Sequence, residues 1–251
     1  MPVVPDMTLR RVGHKGADHI APGNTTGSFD AALAAHVDMI EFDVLPADHR
    51  APATAELMLA HDPEHIGPDS LTLEQGLAHL AAPQFAAIEL DVDLKLPGYE
   101  RRVLDALRRH GLVERTLVST MYMRSLVVLR DLEPALRLGW SVPRLRQGYP
   151  SPATVVPAYG LLLWMRRRLP GIAAAHVRAG RCDALMAHWR LVSPRLVRAL
   201  RDAGGDLYVW TVDDRARISA LEALGVTGVI TNDPRLFGAP TGLRRSSTSP
   251  R

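Results

Sequence analysis

Two carboxylates lie two residues apart inside an apolar run, Met39-Ile40-Glu41-Phe42-Asp43-Val44. On a β-strand, residues i and i+2 share a face, so Glu41 and Asp43 project side by side, roughly 6–7 Å apart along the chain. Two acids held together repel, and apolar neighbours raise the cost of ionising both. A divalent cation between them removes that penalty, and an all-oxygen ligand set suits Mg²⁺ or Ca²⁺. The other reading of these six residues is an edge strand with its acidic face in solvent. Similar oddities recur along the chain. His14-Lys15 and His61-Asp62 end apolar runs, Asp93 and Lys95 share a face at i, i+2, and Trp210 and Thr231-Asn232-Asp233 follow. Lys15 and Lys95 are the only lysines among 30 basic residues, so a compact ammonium is wanted at two positions of an arginine-rich chain.

These residues need a frame. From Leu9 onward, short apolar runs alternate with helical patterns, the signature of βα repeats. The pattern predicts strands at 9–14, 39–45, 85–95, 116–120, 136–142, 184–189, 207–211 and 228–231, with an inserted strand at 56–61. Helices are expected at 24–36 with Asn24 as N-cap, and at 70–80 with Ser70 as cap and Glu74 near the capping-box position. Others follow at 99–110, closed by Gly111, at 123–132, at 194–203 behind Ser193, and at 215–224. Pro157 and Pro170 are expected to divide 151–180 into two helices. Eight such repeats in 251 residues predict a single α/β domain, a closed (β/α)₈ TIM barrel over 1–240, with an insertion at about 46–70 and a disordered polar tail at 241–251. An open doubly wound sheet is the competing architecture. In a barrel the chemistry gathers at the C-terminal ends of the strands, and the unusual residues fall there. Each also has an ordinary reading. A lone histidine is commonly a surface or core residue, and the row Glu89, Asp91, Asp93 and Lys95 is compatible with one hydrated strand face.

Composition narrows the partners. The formal charge is +3 and no basic run interleaved with aromatics suggests nucleic acid. One cysteine, Cys182, excludes an internal disulfide and a multi-cysteine zinc site, and reads as buried packing. The N-terminus has no signal-peptide core, and the longest apolar stretch, at 158–165, is too short to span a bilayer, so no stable membrane insertion is expected. These features read as a soluble cytoplasmic protein; the oligomeric state is not legible.

The blocks Gly13-His14-Lys15-Gly16, Pro22-Gly23-Asn24-Thr25, Glu41-Phe42-Asp43-Val44, His61-Asp62, Asp93-Leu94-Lys95, Trp210-Thr211-Val212-Asp213 and Thr231-Asn232-Asp233-Pro234 occur in this order. Together they resemble the glycerophosphodiester phosphodiesterase family, whose blocks read HRG, PENT, ExDV, HD, ExK, WTVN and TDxP. The resemblance covers residues 12–237 and implies a (β/α)₈ barrel with a small insertion after the second strand. It further implies that Glu41, Asp43 and Asp93 hold one Mg²⁺ or Ca²⁺, with Glu89 as the fallback third ligand. By the same resemblance, His14 and His61 share general acid and base roles, Lys15 and Lys95 surround the phosphate, and Trp210 walls the substrate. The implied reaction hydrolyses a glycerophosphodiester to an alcohol and glycerol 3-phosphate, with metal-dependent phosphoryl transfer. The alternatives are a lysophospholipase D-like enzyme with a lysophospholipid substrate, and a catalytically weak barrel that binds a phosphate ligand. The last is motivated by two departures: Lys15 stands where the family has arginine, and Gly23 where it has glutamate. Asp93 is also one methylene shorter than the family's glutamate.

Overall fold

The apolar runs become strands and the amphipathic stretches between them helices. The computed structural model describes residues 8–142 and 155–238, with side chains inside the long helix described from residue 162. In chain order the elements are β1 (Arg10–Gly13), α1 (Thr26–Ala34), β2 (Met39–Pro46), β3 (Leu57–Met58), α2 (Leu73–Leu80), β4 (Glu89–Leu94), α3 (Glu100–Arg109), β5 (Thr116–Thr120) and α4 (Met123–Leu132). They continue with β6 (Arg137–Val142), α5 (Val155–Arg178), β7 (Ala184–His188), α6 (Pro194–Arg201), β8 (Asp206–Trp210), α7 (Arg215–Leu224) and β9 (Gly228–Thr231). Strand β1 pairs in parallel with both β2 and β9, which closes eight parallel strands into a (β/α)₈ barrel. The short β3 lies outside that ring, antiparallel to the end of β2, with Leu45 opposite Met58.

Closure rules out the open sheet, and it also rules out an acidic solvent face on β2, all eight of whose residues are buried. Apolar clusters fill the space between sheet and helices. One joins Phe29, Phe42, Phe85 and Leu104, and a second packs Leu185, Val209 and Leu196 beneath α5 to α7. Cys182 is buried as packing.

Local chemistry explains the boundaries that differ from the sequence reading. Asn24 does not cap α1: Thr25 does, in a capping box with Ser28, and the Asn24 side chain is used elsewhere. Likewise Thr72 caps α2 with Gln75, while Ser70 accepts a bond from Gly67 N in the preceding turn. Prolines did not split α5, which runs unbroken with Pro170 inside it. Residues 151–154 and the tail at 241–251 fall outside the described residues. The inserted strand shrinks to two residues, and the run from 85 begins with a 3-10 turn, Pro83–Phe85, before β4. After β9 a 3-10 turn, Pro234–Phe237, stands where an eighth helix would lie.

The barrel interior is layered by the two-residue strand period. At its N-terminal end Glu89 accepts from Arg10 and Arg137, at 2.6 and 2.8 Å, and Arg137 also reaches the Tyr208 hydroxyl. Above this plug sit Val12, Met39, Leu117, Met186 and Tyr208. Gly139 and Gly228 make room for them, since a Cβ would come within 2.9 Å of Leu117 and 2.7 Å of the Tyr208 ring. Glu89 therefore lies at the opposite end of the barrel from the His14 layer and does not serve as the fallback metal ligand. Replacing it, as Glu89→Gln, removes the anion that joins Arg10 to Arg137. We expect a loss of about 1–3 kcal/mol in chemical denaturation with divalent-metal affinity unchanged.

Candidate active site

The C-terminal end of the barrel carries the uppermost inward residues of every strand. A cavity of about 140 Å³ there is lined by His14, Glu41, His61, Asp93, Lys95 and Trp210, with Ser119, Ser141 and Asp91 deeper in. The register explains the grouping. Parallel pairing of β2 with β4 sets Glu41 beside Asp91 and Asp43 beside Asp93, four carboxylates in a two-by-two array. The β4 acids are thus not a hydrated row.

Carboxylate oxygens of Glu41, Asp43 and Asp93 lie within 4.8 Å of one another. Lys95 Nζ stands 2.5 Å from Asp43 Oδ1 and 2.6 Å from Asp93 Oδ2. Burial works against the Lys95 charge, but Asp43, Asp93 and Glu41 outweigh it and hold the ammonium protonated. Burial also opposes ionisation of Asp43, yet Lys95 and the two histidines drive its carboxyl well below the usual range. Glu41 goes the other way: burial first, then the Asp43 charge, pushes it well above the ordinary value. Below them Asp91 is 1% exposed, and burial followed by the Asp93 charge raises it to about 8. Its Oδ1 has no hydrogen-bond partner. Three converging carboxylates and a surplus buried acid fit a hard divalent cation.

Asn24 sits in the left-handed region, φ 60°, and its amide clasps Asp43 from both sides. Nδ2 donates to Asp43 Oδ2 at 3.0 Å, and Asp43 N donates to Asn24 Oδ1 at 3.1 Å. Such a clasp fixes the rotamer of a ligating carboxylate. Lys15 is also left-handed, φ 49°, and its backbone N–H donates to Glu41 Oε2 at 2.8 Å. Two strained non-glycine residues in one loop are explained by the carboxylates that they hold.

His14 is oriented by a chain of bonds. Asp213 accepts from Thr231 Oγ1, Asn232 N and Asn232 Nδ2, at 2.9, 2.8 and 2.7 Å. This sets the Asn232 amide with its oxygen toward His14 Nδ1, 2.6 Å away. Nδ1 therefore carries the proton and donates, which leaves Nε2, 3.8 Å from Glu41 Oε2, as the basic nitrogen. Burial lowers the His14 pKa, against the pull of Asp43, which favours the neutral ring. His61 enters from the insertion, with Nδ1 3.3 Å from Asp62. Trp210 forms the far wall, edge-on to His188 at 5.3 Å.

Two predicted residues do not line the cavity: Asp43, which is fully buried, and Lys15. Lys15 Nζ pairs with Asp18 at 2.7 Å. Asp18 in turn accepts from Gly23 N at 2.8 Å, and a Cβ at position 23 would come within 2.6 Å of that carboxylate. The two departures from the family pattern are thus coupled: Asp18 supplies a carboxylate to the cation at position 15, and Gly23 leaves it space. Asn24, Asp213, Asn232 and Asp18 escaped the sequence reading as site residues. Three of them stood within the quoted blocks, but nothing in one sequence distinguishes an orienting amide from a cap or a turn.

Asn24→Ala should weaken divalent-metal binding by about tenfold to a hundredfold in calorimetric titration. Asp91 gives a pH signature in the metal-free protein. Its carboxyl titrates near ~3.9 when unfolded and about 8 when folded, so the native state holds a proton that the unfolded state releases. Its contribution to stability falls as pH rises through that window. Asp91→Asn should flatten the decline of Tm between those pH values.

The family model for the glycerophosphoryl diester phosphodiesterase family matches residues 95–236. A glycerophosphodiester phosphodiesterase of Bacillus subtilis is 23% identical over 93% of this chain and 86% of its own. Among solved structures, a glycerophosphodiester phosphodiesterase from Parabacteroides distasonis superposes with TM-score 0.68 at 19% identity, covering 91% of this chain and 95% of that one. An Oleispira antarctica phosphodiesterase, solved in complex with the product sn-glycerol-3-phosphate, superposes with TM-score 0.64 at 19% identity over 90% and 94% of the two chains. The chain belongs to the glycerophosphoryl diester phosphodiesterase family and is a phosphoric diester hydrolase.

Proposed function

We propose that this chain hydrolyses glycerophosphodiesters to an alcohol and glycerol 3-phosphate, in a reaction that depends on one divalent cation, Mg²⁺ or Ca²⁺. The observation that carries the reading is a half-buried His14 whose Nε2 lies 3.8 Å from Glu41, one of three clustered carboxylates. The product bound to the Oleispira antarctica phosphodiesterase supports the same substrate class. Glu41, Asp43 and Asp93 are the residues that would hold the cation, which when bound polarises a phosphate oxygen and neutralises developing charge.

His14 Nε2 takes the proton from the attacking oxygen, that of the glycerol 2-hydroxyl or of a water. As the new P–O bond forms and the bond to the alcohol breaks, His61, as general acid, donates to the departing oxygen. Where the 2-hydroxyl attacks, the product is a cyclic phosphate, which a water opens to glycerol 3-phosphate, His61 taking the water's proton and His14 returning one to the 2-oxygen. Asp62 stays beside the imidazole that accepts the next proton. Lys95 places an obligate positive charge against the phosphate, while Lys15, tied to Asp18, contributes from outside the cavity. Trp210 gives the glycerol backbone an apolar wall.

A second substrate class has its own support. An apolar groove of about 200 Å³, lined by Trp140, Val142, Trp164, Met165 and Ile172, shares Met121 and Ser141 with the cavity. An acyl chain on the leaving alcohol would lie there, as in a lysophospholipid. Glycerophosphocholine and lysophosphatidylcholine, compared by kcat/KM, separate the two substrates.

His14→Ala should lower kcat by at least about a hundredfold without changing the circular dichroism spectrum. A fully active variant would exclude the assignment. EDTA should suppress turnover, and Mg²⁺ or Ca²⁺ should restore it. Because burial lowers the His14 pKa, the acid limb of kcat/KM should fall below pH ~6.5.

A further inference from the structure

Charge is segregated in this molecule. Basic and acidic residues nearly balance over the whole chain, 30 against 27, yet residues 134–201 carry twelve arginines, no lysine and a single carboxylate, Asp183. That carboxylate is occupied by Arg130 at 2.7 Å. The described part of the stretch runs from β6 through α6, and apart from Arg137, which is paired in the interior plug, its arginines have no carboxylate partner among the described residues.

Helix α5 is the centre of this stretch. It has 24 residues, against 8 to 10 in each of the other six described helices. Arg166 donates to Val192 O at 3.0 Å, just before Ser193 caps α6, so α5 is level with the catalytic rim at residue 166. The eleven helical residues before it carry the backbone about 16 Å beyond that rim at 1.5 Å each.

At the rim one face of α5 presents Trp164, Arg168 and Ile172 in one i, i+4 row, with Leu163 and Arg167 in the next. Trp164 is 56% exposed, Leu163 49% and Ile172 43%. Arg167 and Arg168 are exposed and have no ion-pair partner among the described residues. The turn packed beside them adds Trp189, whose ring has the guanidinium groups of Arg190 and Arg217 over it at 4.9 and 3.9 Å.

We propose that this face of α5, with Trp189 and Arg190 at its edge, docks the enzyme on an anionic phospholipid surface. Arginine attracts lipid phosphate, and tryptophan settles at the headgroup level of a bilayer. Leu163 and Ile172 decide between lipid and nucleic acid, because exposed aliphatic side chains gain from an acyl boundary and nothing from a phosphate backbone. Among the described residues no helix is long and apolar enough to cross a membrane, so the contact is peripheral. Docking by this face would hold the rim near residue 166 next to the headgroup layer. The proposal goes beyond the hydrolytic reading and holds for either substrate class.

Sedimentation of the full chain with vesicles tests it. Equimolar phosphatidylglycerol and phosphatidylcholine vesicles should pellet the protein, and pure phosphatidylcholine vesicles should pellet much less. The double variant Leu163→Ser, Arg167→Glu alters two exposed residues that line neither the cavity nor the groove. It should bind the anionic vesicles at least about tenfold more weakly and hydrolyse glycerophosphocholine unchanged. Equal binding to both vesicle types, no binding to anionic vesicles, wild-type binding by the double variant, or tighter binding to a single-stranded RNA oligonucleotide would each overturn the proposal.

Discussion

Everything at the catalytic end depends on how four buried carboxylates are kept together. Glu41, Asp43, Asp91 and Asp93 are locked side by side by the β2–β4 register, and no side-chain rotation separates them. Their mutual repulsion is met by Lys95, which touches Asp43 and Asp93 directly. The charge is divided unevenly as a result. Asp43 stays ionised, while Glu41 and Asp91 are pushed towards protonation. An array with more acid than internal base can accept a divalent cation, and the barrel tolerates it because the plug of Glu89, Arg10 and Arg137 and the apolar middle layer stabilise the other end.

The histidines extend this logic into reaction chemistry. Asp213 and Asn232 determine which nitrogen of His14 carries the proton, and burial favours the neutral ring. His61 comes from the insertion and is more exposed than His14. The loop from Lys15 to Asn24 shows how substitution is absorbed. Asp18 provides the carboxylate that position 23 lacks, and the glycine there is required by that same carboxylate. The arrangement weakens the case for a catalytically silent barrel, because both departures are accommodated without disturbing Glu41 or Asp43.

Much of this was legible in the sequence because two periodicities are simple. The strand period of two put Glu41 with Asp43 and Asp93 with Lys95, and eight repeats implied closure, which placed them on one rim. What was not legible has physical causes. Caps shifted by one or two residues because several Ser, Thr and Asn side chains competed for each helix start. Its position before a helical run makes Asn24 a cap candidate, but its left-handed backbone aims it at Asp43. Pro170 was read as a break, but a helix packed against α6 tolerates the lost bond. Glu89 shares the parity of Asp93, and only strand length shows that it belongs to the other end of the barrel. Lys15 was placed beside the phosphate, and its pairing with Asp18 depends on a turn geometry that no spacing rule encodes.

On the proposed reading, Glu41, Asp43 and Asp93 hold one divalent cation beside His14. Crystals soaked in Mn²⁺, with anomalous scattering used to locate the ion, test it most directly. The account predicts one anomalous peak within coordination distance of carboxylate oxygens from all three residues. A peak elsewhere on the barrel, or a site that lacks Asp93, would contradict it.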